Sequence, residues 1–496
     1  MLFPTENEYV SPGQMVNTET DIPVIRFHFK PVQTYWQEVV NCYYITVHLF
    51  MKEKSLPLSQ KPSEFKKTLN AKMLWGLGVG YVISGMYFGW NLGLEKGGTL
   101  GLAIATAFTI LMYLAFTFSY TELACAIPKA GGAFDYAGRA LGPDLGFLAG
   151  LVQNIEFIFA PPAIAYAIGA YFNLFFPNLP ILYISIFVYI AFTALNISGI
   201  RAAAIFELVI TILAVGEILL FSGITLPHLK MSNLSQNAFP NQWEGVFKSI
   251  PFAIWFFLGI EGIANVAEET ITPQKTILKG FGSAILTLIV LCVLVFVSSV
   301  GVAGWEAIVY KPDGSSSDSP LPMALAHIVA GNNFLYHLLI TVGLLGLVAS
   351  FHGILLAAGR ASFEFGRVGS APAFIGTIHP RFKTPANALI VNMVLGIIAL
   401  LTGKTAEIIT ISVFGALSLY ILSMISLLRL RVKEPGLERP FKVPLYPFAP
   451  ITALVIAIVS FISMTIYNFK LALLFFLILA LCYLLYKLFW KTRPVF

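Results

Sequence analysis

Six acidic or histidine side chains lie within the long apolar stretches of this chain, away from their outermost residues, and their types permit chemistry there. They are Glu122, Glu156, Glu207, Glu217, Glu261 and His352. A carboxylate in the middle of a bilayer costs about 2.5–3.5 kcal/mol on insertion scales, so each one needs a partner, water or a proton. Lysine and arginine are absent from the interiors of these stretches. The compensating charge is therefore predicted to be a proton, a cation or a cationic solute.

Glu156 stands near the middle of the apolar stretch 143–172, at the depth of the bilayer midplane. An ammonium within about 4 Å of a carboxylate gains about 4 kcal/mol at an effective dielectric constant of about 20. A zwitterionic solute would bring its own carboxylate, which Glu156 would repel. Glu156 is therefore predicted to bind a small amine that lacks a carboxylate. The alternative is a protonated structural glutamate that is bonded to a neighbouring helix.

Three further residues are candidates for gating or proton coupling, namely Glu261, Glu217 and His352. Glu261 follows a glycine-rich interruption, so it would titrate as a pocket there opens and closes. The alternative for Glu261 is a hydrogen bond within the helix bundle, and the alternative for His352 is a satisfied core histidine. For Glu122, Glu207 and Glu217 a structural role is the stronger interpretation.

Two apolar stretches carry glycine-rich interruptions at corresponding places. The first reads GVGYVISGMYFGW and the second reads PFAIWFFLGIEGIANVAEE. Glycine costs about 1 kcal/mol relative to alanine inside a helix. Because the two stretches lie five spans apart, they predict an inverted repeat whose discontinuous helices form a solute site at the midplane. The alternative is close helix packing through the small-xxx-small pair of Gly85 and Gly89.

The elements that must position these residues are membrane-spanning helices. Apolar runs of about 20 residues are long enough to cross a bilayer, and only a helix satisfies its own backbone groups there. Twelve runs qualify: 74–94, 99–127, 143–172, 180–198, 201–226, 246–266, 280–303, 334–359, 387–403, 406–430, 448–467 and 470–490. The chain is 57% hydrophobic and only 11% charged, which excludes an ordinary soluble enzyme, a disordered chain and a nucleic-acid-binding domain.

The distribution of basic residues predicts the orientation. Twelve spans put both termini on one side, and most of the 31 Lys and Arg residues fall on that side. The opposite side receives Lys96, Lys230, Lys248, Lys311, Lys404 and Lys470. Because cytoplasmic loops carry the excess of positive charge, both termini are predicted to be cytoplasmic.

The predicted organisation has five parts. Residues 1–72 form a cytoplasmic extension without fixed structure, and 73–430 form a ten-helix transport core. A cytoplasmic loop at 431–447 leads to two peripheral helices at 448–490, and 491–496 are a cytoplasmic C-terminus. Between the second and third spans, PKAGGAFDYAGRALGP predicts a short interfacial or re-entrant helix.

Five segments together carry a resemblance to a known family. They are SGMYFG, PKAGGAFDYAGRALGP, NISGIRAAAIFELVIT, WFFLGIEG and GRASFEFGRVGSAPAFIGTIHPRFKTP. Across residues 70–490 the chain resembles the amino acid–polyamine–organocation permeases. Within that superfamily, GVGYVISGMYFGWNLGLEKGG and GIEGIANVAEET are most similar to ethanolamine permeases.

The resemblance implies an all-α polytopic secondary transporter with a LeuT-like 5+5 inverted-repeat core and two peripheral helices. It implies alternating access, with the substrate amine held at the interruptions of spans one and six. Ile83, Ser84 and Gly85 occupy the place of the family's Gly-Ser-Gly turn, Trp255 matches its aromatic gate, and Glu261 its proton-linked glutamate. The candidate substrate-binding residues are Ile83, Ser84, Gly85, Met86, Glu156, Trp255, Phe256, Leu258 and Gly259.

Two departures from the family pattern bear on substrate and coupling. Ile83 replaces the first glycine of the turn, and its branched side chain restricts the backbone and crowds a substrate carboxylate. Some relatives carry a coupling lysine three residues after the position of Thr211. Here that place is held by Ala214, with Glu217 one turn further on. The coupling ion, H⁺ or Na⁺, stays open.

The predicted function is therefore uptake of a small organic amine, ethanolamine by resemblance, through the cytoplasmic membrane. The alternatives are an amino acid permease or exchanger, and a channel. No HExxH or GxSxG motif, paired-aspartate metal motif or zinc-ligand spacing is present, which argues against an enzyme and a metal site. The expected partners are a small amine or amino acid and the lipid bilayer, with no cofactor and no nucleic acid; the oligomeric state stays open.

Overall fold

The computed structural model describes residues 67–198, 200–331 and 333–489. Residues 1–66, most of the predicted N-terminal extension, lie outside this range, as does the predicted C-terminal segment 491–496. The remainder of the predicted extension is ordered. The backbone N–H groups of Thr68 and Leu69 both donate to the Glu269 carbonyl oxygen, at 2.9 and 3.0 Å.

The described chain is built from helices. Sixteen α-helices follow one another as α1 Ala71–Tyr87, α2 Asn91–Ala126, α3 Ala133–Leu141, α4 Pro143–Asn173, α5 Ile181–Ser198, α6 Ile200–Thr225, α7 Met231–Ser235, α8 Gln242–Trp255, α9 Pro273–Ala303, α10 Trp305–Val309, α11 Pro320–Ala326, α12 Phe334–Arg367, α13 Ala386–Leu400, α14 Thr405–Lys433, α15 Phe448–Tyr467 and α16 Phe469–Phe489. Two 3₁₀ segments, Leu226–His228 and Ile260–Glu269, lie between them. The short α3 confirms the helix that was predicted between spans two and three.

Ten of the twelve predicted spans are helices long and apolar enough to cross a membrane. Span six among them consists of α8 and the following 3₁₀ segment, which together run from Gln242 to Glu269. The other two predicted spans, one and nine, correspond to the shorter helices α1 and α13, of 17 and 15 residues. The all-α polytopic fold is thus confirmed.

The first interruption lies later in the chain than the sequence predicts. The glycine-rich stretch 78–90 contains it, but the resemblance implied a break at Ile83–Gly85, whereas α1 is continuous to Tyr87. The break covers 88–90, where Phe88 is extended with φ −160° and Gly89 has φ +87°. Glycine is required at this second position because the left-handed region is costly for a residue with a Cβ. The helix therefore ends only where a glycine permits the left-handed turn.

The second interruption lies in span six and touches the first. Helix α8 ends at Trp255, and Gly259 turns the chain with φ +95° before the 3₁₀ segment begins. The Trp255 Nε1–H donates to the Phe88 carbonyl oxygen at 3.1 Å, so the side chain at one interruption satisfies the backbone of the other. Spans one and six are therefore linked where both lose their helical hydrogen bonds, which fits the predicted inverted repeat.

The last two helices lie at the edge of the bundle. Helix α15 packs against α14, α2 and α8, whereas α16 packs against α14, α15 and α4. Of the most apolar window of each, 33% and 17% are buried, compared with 100% for span six. By the same measure α5 is 28% buried, so the values separate α15 and α16 from span six but not from every helix of the predicted core.

A buried ion cluster connects span two to the segment after span ten. Glu122 is fully buried and forms two 2.7 Å hydrogen bonds with the Arg431 guanidinium. Arg439 lies 3.3 Å from the same carboxylate, and the Val443 N–H donates to it at 2.8 Å. The compensating charges of Glu122 thus come from beyond the apolar runs. This geometry agrees with a structural role for the residue.

Replacing Glu122 by glutamine should lower the thermal unfolding temperature of the purified full-length protein in detergent. The change leaves two guanidinium groups without their carboxylate, and breaking a buried ion pair costs up to about 3–5 kcal/mol. The control is Glu407→Gln, which removes a partner of Lys404 on the protein surface. Equal unfolding temperatures for the two variants would contradict the stabilising role of the cluster.

Candidate functional site

Two buried carboxyl groups face each other inside the bundle. Glu156 on α4 and Glu261 at the start of the 3₁₀ segment are both fully buried, and they are electrostatic neighbours. Both oxygens of Glu156 and Oε1 of Glu261 have no hydrogen-bond donor among the described residues. Glu261 Oε2 accepts a 3.1 Å hydrogen bond from the Tyr420 hydroxyl. Three carboxyl oxygens of these two residues thus lack a hydrogen-bond donor, and neither residue forms an ion pair within the part of the chain that the structure describes. We call these two residues the carboxyl pair.

Aromatic residues from three parts of the chain lie next to the carboxyl pair. Tyr420 on α14 and Tyr113 on α2 join their hydroxyl oxygens at 2.8 Å. The Tyr113 ring lies 5.2 Å from that of Phe257, and Phe116 lies 4.3 Å from Tyr420, measured between ring centroids. All four side chains are buried. The negative faces of such rings favour an organic cation.

Helix α14 fixes the position of Glu156 through its backbone. The Ser412 hydroxyl donates to the Glu156 carbonyl oxygen at 2.9 Å. A Cβ added to Gly415 would lie 2.8 Å from the Glu156 nitrogen and 2.7 Å from the Val152 carbonyl oxygen. Because Gly415 lacks a side chain, α14 and α4 approach closely there. Glu156 thus lies at a contact between spans three and ten.

Most of the other predicted substrate residues meet where the two interruptions touch. A Cβ on Gly85 would collide with the Trp255 carbonyl oxygen and lie 3.0 Å from the Phe256 Cα. The Phe256 ring stacks on Trp90 at 5.5 Å between centroids. The Met86 carbonyl oxygen accepts a 3.1 Å hydrogen bond from Trp90 Nε1. The structure thus brings Gly85, Met86, Trp255 and Phe256 together.

The remaining predicted substrate-binding residues are buried beside the contact between the two interruptions. Ile83 and Ser84 lie in the last turns of α1, and Ser84 Oγ is 2.7 Å from Ser350 Oγ on α12. Leu258 and Gly259 belong to the second interruption, and Gly259 directly precedes the 3₁₀ segment, whose second residue is Glu261. The second interruption therefore connects this contact to the carboxyl pair.

Glu217 and His352 lie away from the carboxyl pair, each with its own partner. The Tyr87 hydroxyl donates to Glu217 Oε2 at 2.6 Å, which connects α6 to the end of α1. A cavity of about 10 Å³ adjoins both residues, which is room for about one water. His352 Nδ1 lies 2.9 Å from Glu207 Oε2. The three predicted gating residues thus occupy three separate places.

Ion pairs close the bundle at the end where α1 begins, which we call the basic end. Arg360 Nε lies 2.6 Å from Glu269, and Arg367 lies 3.0 Å from Glu268 and 2.6 Å from Glu364. The pairs with Glu269 and Glu268 join α12 to the last turn of span six, whereas the pair with Glu364 lies within α12. Trp255 precedes Glu261 along the same span, so the carboxyl pair lies between the tryptophan and the ion pairs.

Several residues of the site were not predicted from the sequence. Tyr113 and Tyr420 belong to apolar runs in which tyrosine is an ordinary packing residue. Their hydroxyl groups matter only because α2 and α14 meet beside Glu261. Glu207 was given a structural role, and no pattern in the chain indicated that His352 would be its partner. The buried glutamates were the one available signal.

Gly85→Ala should destabilise the protein, because the new methyl group collides with the Trp255 backbone at the contact between the interruptions. Overpacking a close contact costs about 1–3 kcal/mol. The measurement is thermal unfolding, with Gly216→Ala as the control because a Cβ there meets nothing within 4 Å. Similar unfolding temperatures for both variants would contradict the close packing of spans one and six.

Asp135 on α3 predicts a pH dependence of stability. Burial raises the pKa of Asp135 to about 6, and Glu268 adds to the rise whereas Lys129 and Arg367 oppose it. Because the folded pKa lies above the ordinary value of 3.8, the stabilising contribution is present at low pH and is lost as the pH rises through about 6.

Asp135→Asn should therefore reduce the fall in unfolding temperature between about pH 5 and about pH 7.5, where the carboxyl contributes roughly 1 kcal/mol. Thermal unfolding at the two pH values measures the effect. The control is Asp313→Asn at an exposed turn, which should preserve the wild-type fall. An unchanged fall in Asp135→Asn would contradict the prediction.

Comparison with known proteins places the chain in a family. Residues 71–487 match the family described as amino acid permease. The chain is 27% identical to the methylthioribose transporter of Bacillus subtilis, over 81% of this chain and 90% of the relative. It is 26% identical to the branched-chain amino acid permease BcaP of Bacillus subtilis, over 78% and 85%. It is 27% identical to the low-affinity putrescine importer PlaP of Escherichia coli, over 68% and 75%.

The family match covers most of the chain and includes both interruptions, the carboxyl pair and the ion pairs of the basic end. The members of the family are transporters rather than enzymes, in agreement with the sequence prediction. The chain belongs to the amino acid permease family of the amino acid–polyamine–organocation superfamily.

Proposed function

We propose that this permease takes up a small organic amine, ethanolamine first among the candidates, across the cytoplasmic membrane by alternating access. The observation that carries the proposal is the carboxyl pair. It offers three buried acceptor atoms, Glu156 Oε1 and Oε2 and Glu261 Oε1, that lack a donor among the described residues. Buried charges require a counter-charge or a proton, and the substrate is the natural source of the first.

An ammonium group matches the carboxyl pair in its number of hydrogen-bond donors and in the sign of its charge. It has three N–H donors and no acceptor, which matches the three free carboxylate oxygens of the carboxyl pair. The neighbouring rings of Tyr113, Phe257 and Tyr420 add a favourable environment for a desolvated cation. A substrate carboxylate close to Glu156 would be repelled, so an amine without one is favoured over an amino acid.

The shifted first interruption supports the same preference. Residues 83–86 lie inside α1, where backbone N–H groups bond to carbonyl groups one turn back. The turn that would present free N–H groups to a substrate carboxylate is therefore absent from that place. At the actual interruption, the Gly89 N–H donates to the Asn91 side chain at 3.1 Å. This backbone donor is also occupied.

Two sets of contacts, one on each side of the carboxyl pair, support alternating access. The basic end is held by Arg360 and Arg367, and on the other side Trp255 is bonded to the first interruption. If the ion pairs broke while the Trp255 contact held, or the reverse, the carboxyl pair would be exposed to one side of the membrane at a time. The positive-inside rule makes the basic end cytoplasmic, so Trp255 would face the path from outside.

Ion coupling is part of the proposal. Without substrate, one shared proton would relieve the repulsion within the carboxyl pair. A proton or sodium ion that enters the cell together with the amine would couple uptake to its own gradient. No cofactor takes part in this scheme.

An amino acid substrate is the second candidate, because the relative BcaP is named a branched-chain amino acid permease. The relative PlaP is named a putrescine importer, which supports the amine instead. A direct test is uptake of radiolabelled ethanolamine into proteoliposomes, with and without a proton gradient, in competition with alanine, arginine and choline. Saturable uptake that the amino acids do not inhibit is expected. Inhibition by an amino acid without ethanolamine accumulation would favour the second candidate.

Glu156→Gln should abolish tight amine uptake and leave the protein folded, because it removes the charge and preserves the shape. We expect saturable uptake at low substrate concentration to fall at least about tenfold, the equivalent of about 1.4 kcal/mol. The control is Glu407→Gln at the protein surface, with thermal unfolding recorded for both variants. Unchanged affinity in Glu156→Gln would contradict the assignment of the ammonium site.

A further inference from the structure

A second buried acid–base pair lies outside the site described above. Glu207 on α6 and His352 on α12 are both fully buried, and Oε2 of the first lies 2.9 Å from Nδ1 of the second. The other polar atom of each, Glu207 Oε1 and His352 Nε2, has no hydrogen-bond partner among the described residues. A pair held only for structure would normally have these atoms satisfied, because an unpartnered buried polar atom is costly.

Two glycines make the space that the pair occupies. A Cβ on Gly80 of α1 would collide with Glu207 Oε1, and one on Gly353 of α12 would lie 2.9 Å from it. The rings of Phe206 and Phe192 lie edge-on to the imidazole, at 5.4 and 6.1 Å between centroids. Backbone and aromatic carbon therefore surround the pair, and α1 lies directly over its free oxygen.

The polar groups around the pair do not neutralise the charge of Glu207. From α1 the titratable neighbour is Tyr81, whose buried hydroxyl has no partner among the described residues. From α5, Asn196 donates to the His352 backbone carbonyl oxygen at 3.3 Å and carries no charge. Further along α12, Arg360 is bound to Glu269. Among the side chains that the structure describes on these elements, the His352 ring is the group that compensates Glu207.

The number of protons that the Glu207–His352 pair holds follows from the lack of other charges beside it. With one dissociable proton on either member the pair is neutral, and without it a full negative charge remains in a medium of low dielectric constant. The enclosed pair therefore favours the singly protonated form. Release transfers the proton to water and moves no electrons, and it requires water to reach Glu207 Oε1 or His352 Nε2. The backbone of α1 at Gly80 lies in that path.

We propose that Glu207 and His352 form a proton-binding site, separate from the carboxyl pair, that holds one proton while α1 covers it and releases it when α1 moves. This inference deepens the proposed function, on which it rests, because it makes the proton the coupling ion. Helix α1 ends at the first interruption, so a displacement there uncovers the pair and links proton release to the movement of span one.

The transport test separates coupling from binding. Full-length wild type, Glu207→Gln and His352→Gln are compared in sodium-free proteoliposomes, in proton-driven ethanolamine accumulation and in ethanolamine counterflow without a gradient. Both variants should lose accumulation at least about tenfold and keep counterflow within about twofold. Glu407→Gln and the surface variant His327→Gln are the controls. Full accumulation in Glu207→Gln would overturn the inference. So would accumulation by wild type in a separate assay that imposes a sodium gradient and no proton gradient.

A second measurement needs no transported substrate. Histidine ¹⁵N NMR of the full-length protein in nanodiscs identifies the His352 signals by their loss in His352→Gln. These signals should change with pH in wild type, and Glu207→Gln should alter that change. Signals that neither titrate nor respond to Glu207→Gln would overturn the proton site even if a variant fails to transport. If wild type shows no ethanolamine counterflow, the proposed substrate fails, whereas the NMR titration still decides the proton site.

Discussion

The cost of burying a carboxylate without compensation governs the arrangement of this permease. Each glutamate inside the bundle requires a neighbour that neutralises or hydrogen-bonds it. Glu122 and Glu269 have arginine partners, Glu217 has the Tyr87 hydroxyl, and Glu207 has His352. Among the residues that the structure describes, the carboxyl pair combines two acids and forms no ion pair with a cation. The degree of compensation therefore separates residues that hold the helices together from those available to a solute or proton.

The two interruptions depend on the same physical rule applied to the backbone. A helix that ends inside a bundle leaves carbonyl and N–H groups without partners. Here the Phe88 carbonyl is satisfied by Trp255, and Gly89 N–H by the Asn91 side chain. The first break is thus stabilised in part by a side chain of span six. Any movement of span one must also rearrange span six.

Glycine positions decide how closely the moving and fixed parts approach one another. Gly85 admits the Trp255 backbone, Gly80 admits the Glu207 carboxyl group, and Gly415 admits the backbone of span three at Glu156. These three contacts lie on spans one and ten, next to the interruption, the acid–base pair and the carboxyl pair. Small residues at helix contacts permit close approach without a cavity. The same glycines therefore place the buried acids within reach of their neighbours.

The sequence by itself determined the membrane fold, the apolar runs and which two spans are interrupted, because hydropathy and helix geometry act locally along the chain. It did not determine where span one breaks, because the turn at Gly89 is stabilised by Trp255, 167 residues away from the carbonyl it binds. The pairing of Glu207 with His352 joins residues 145 apart, and that of Tyr420 with Glu261 joins residues 159 apart. Contacts at such separation depend on helix packing, so only the tertiary structure decided which buried acids have partners.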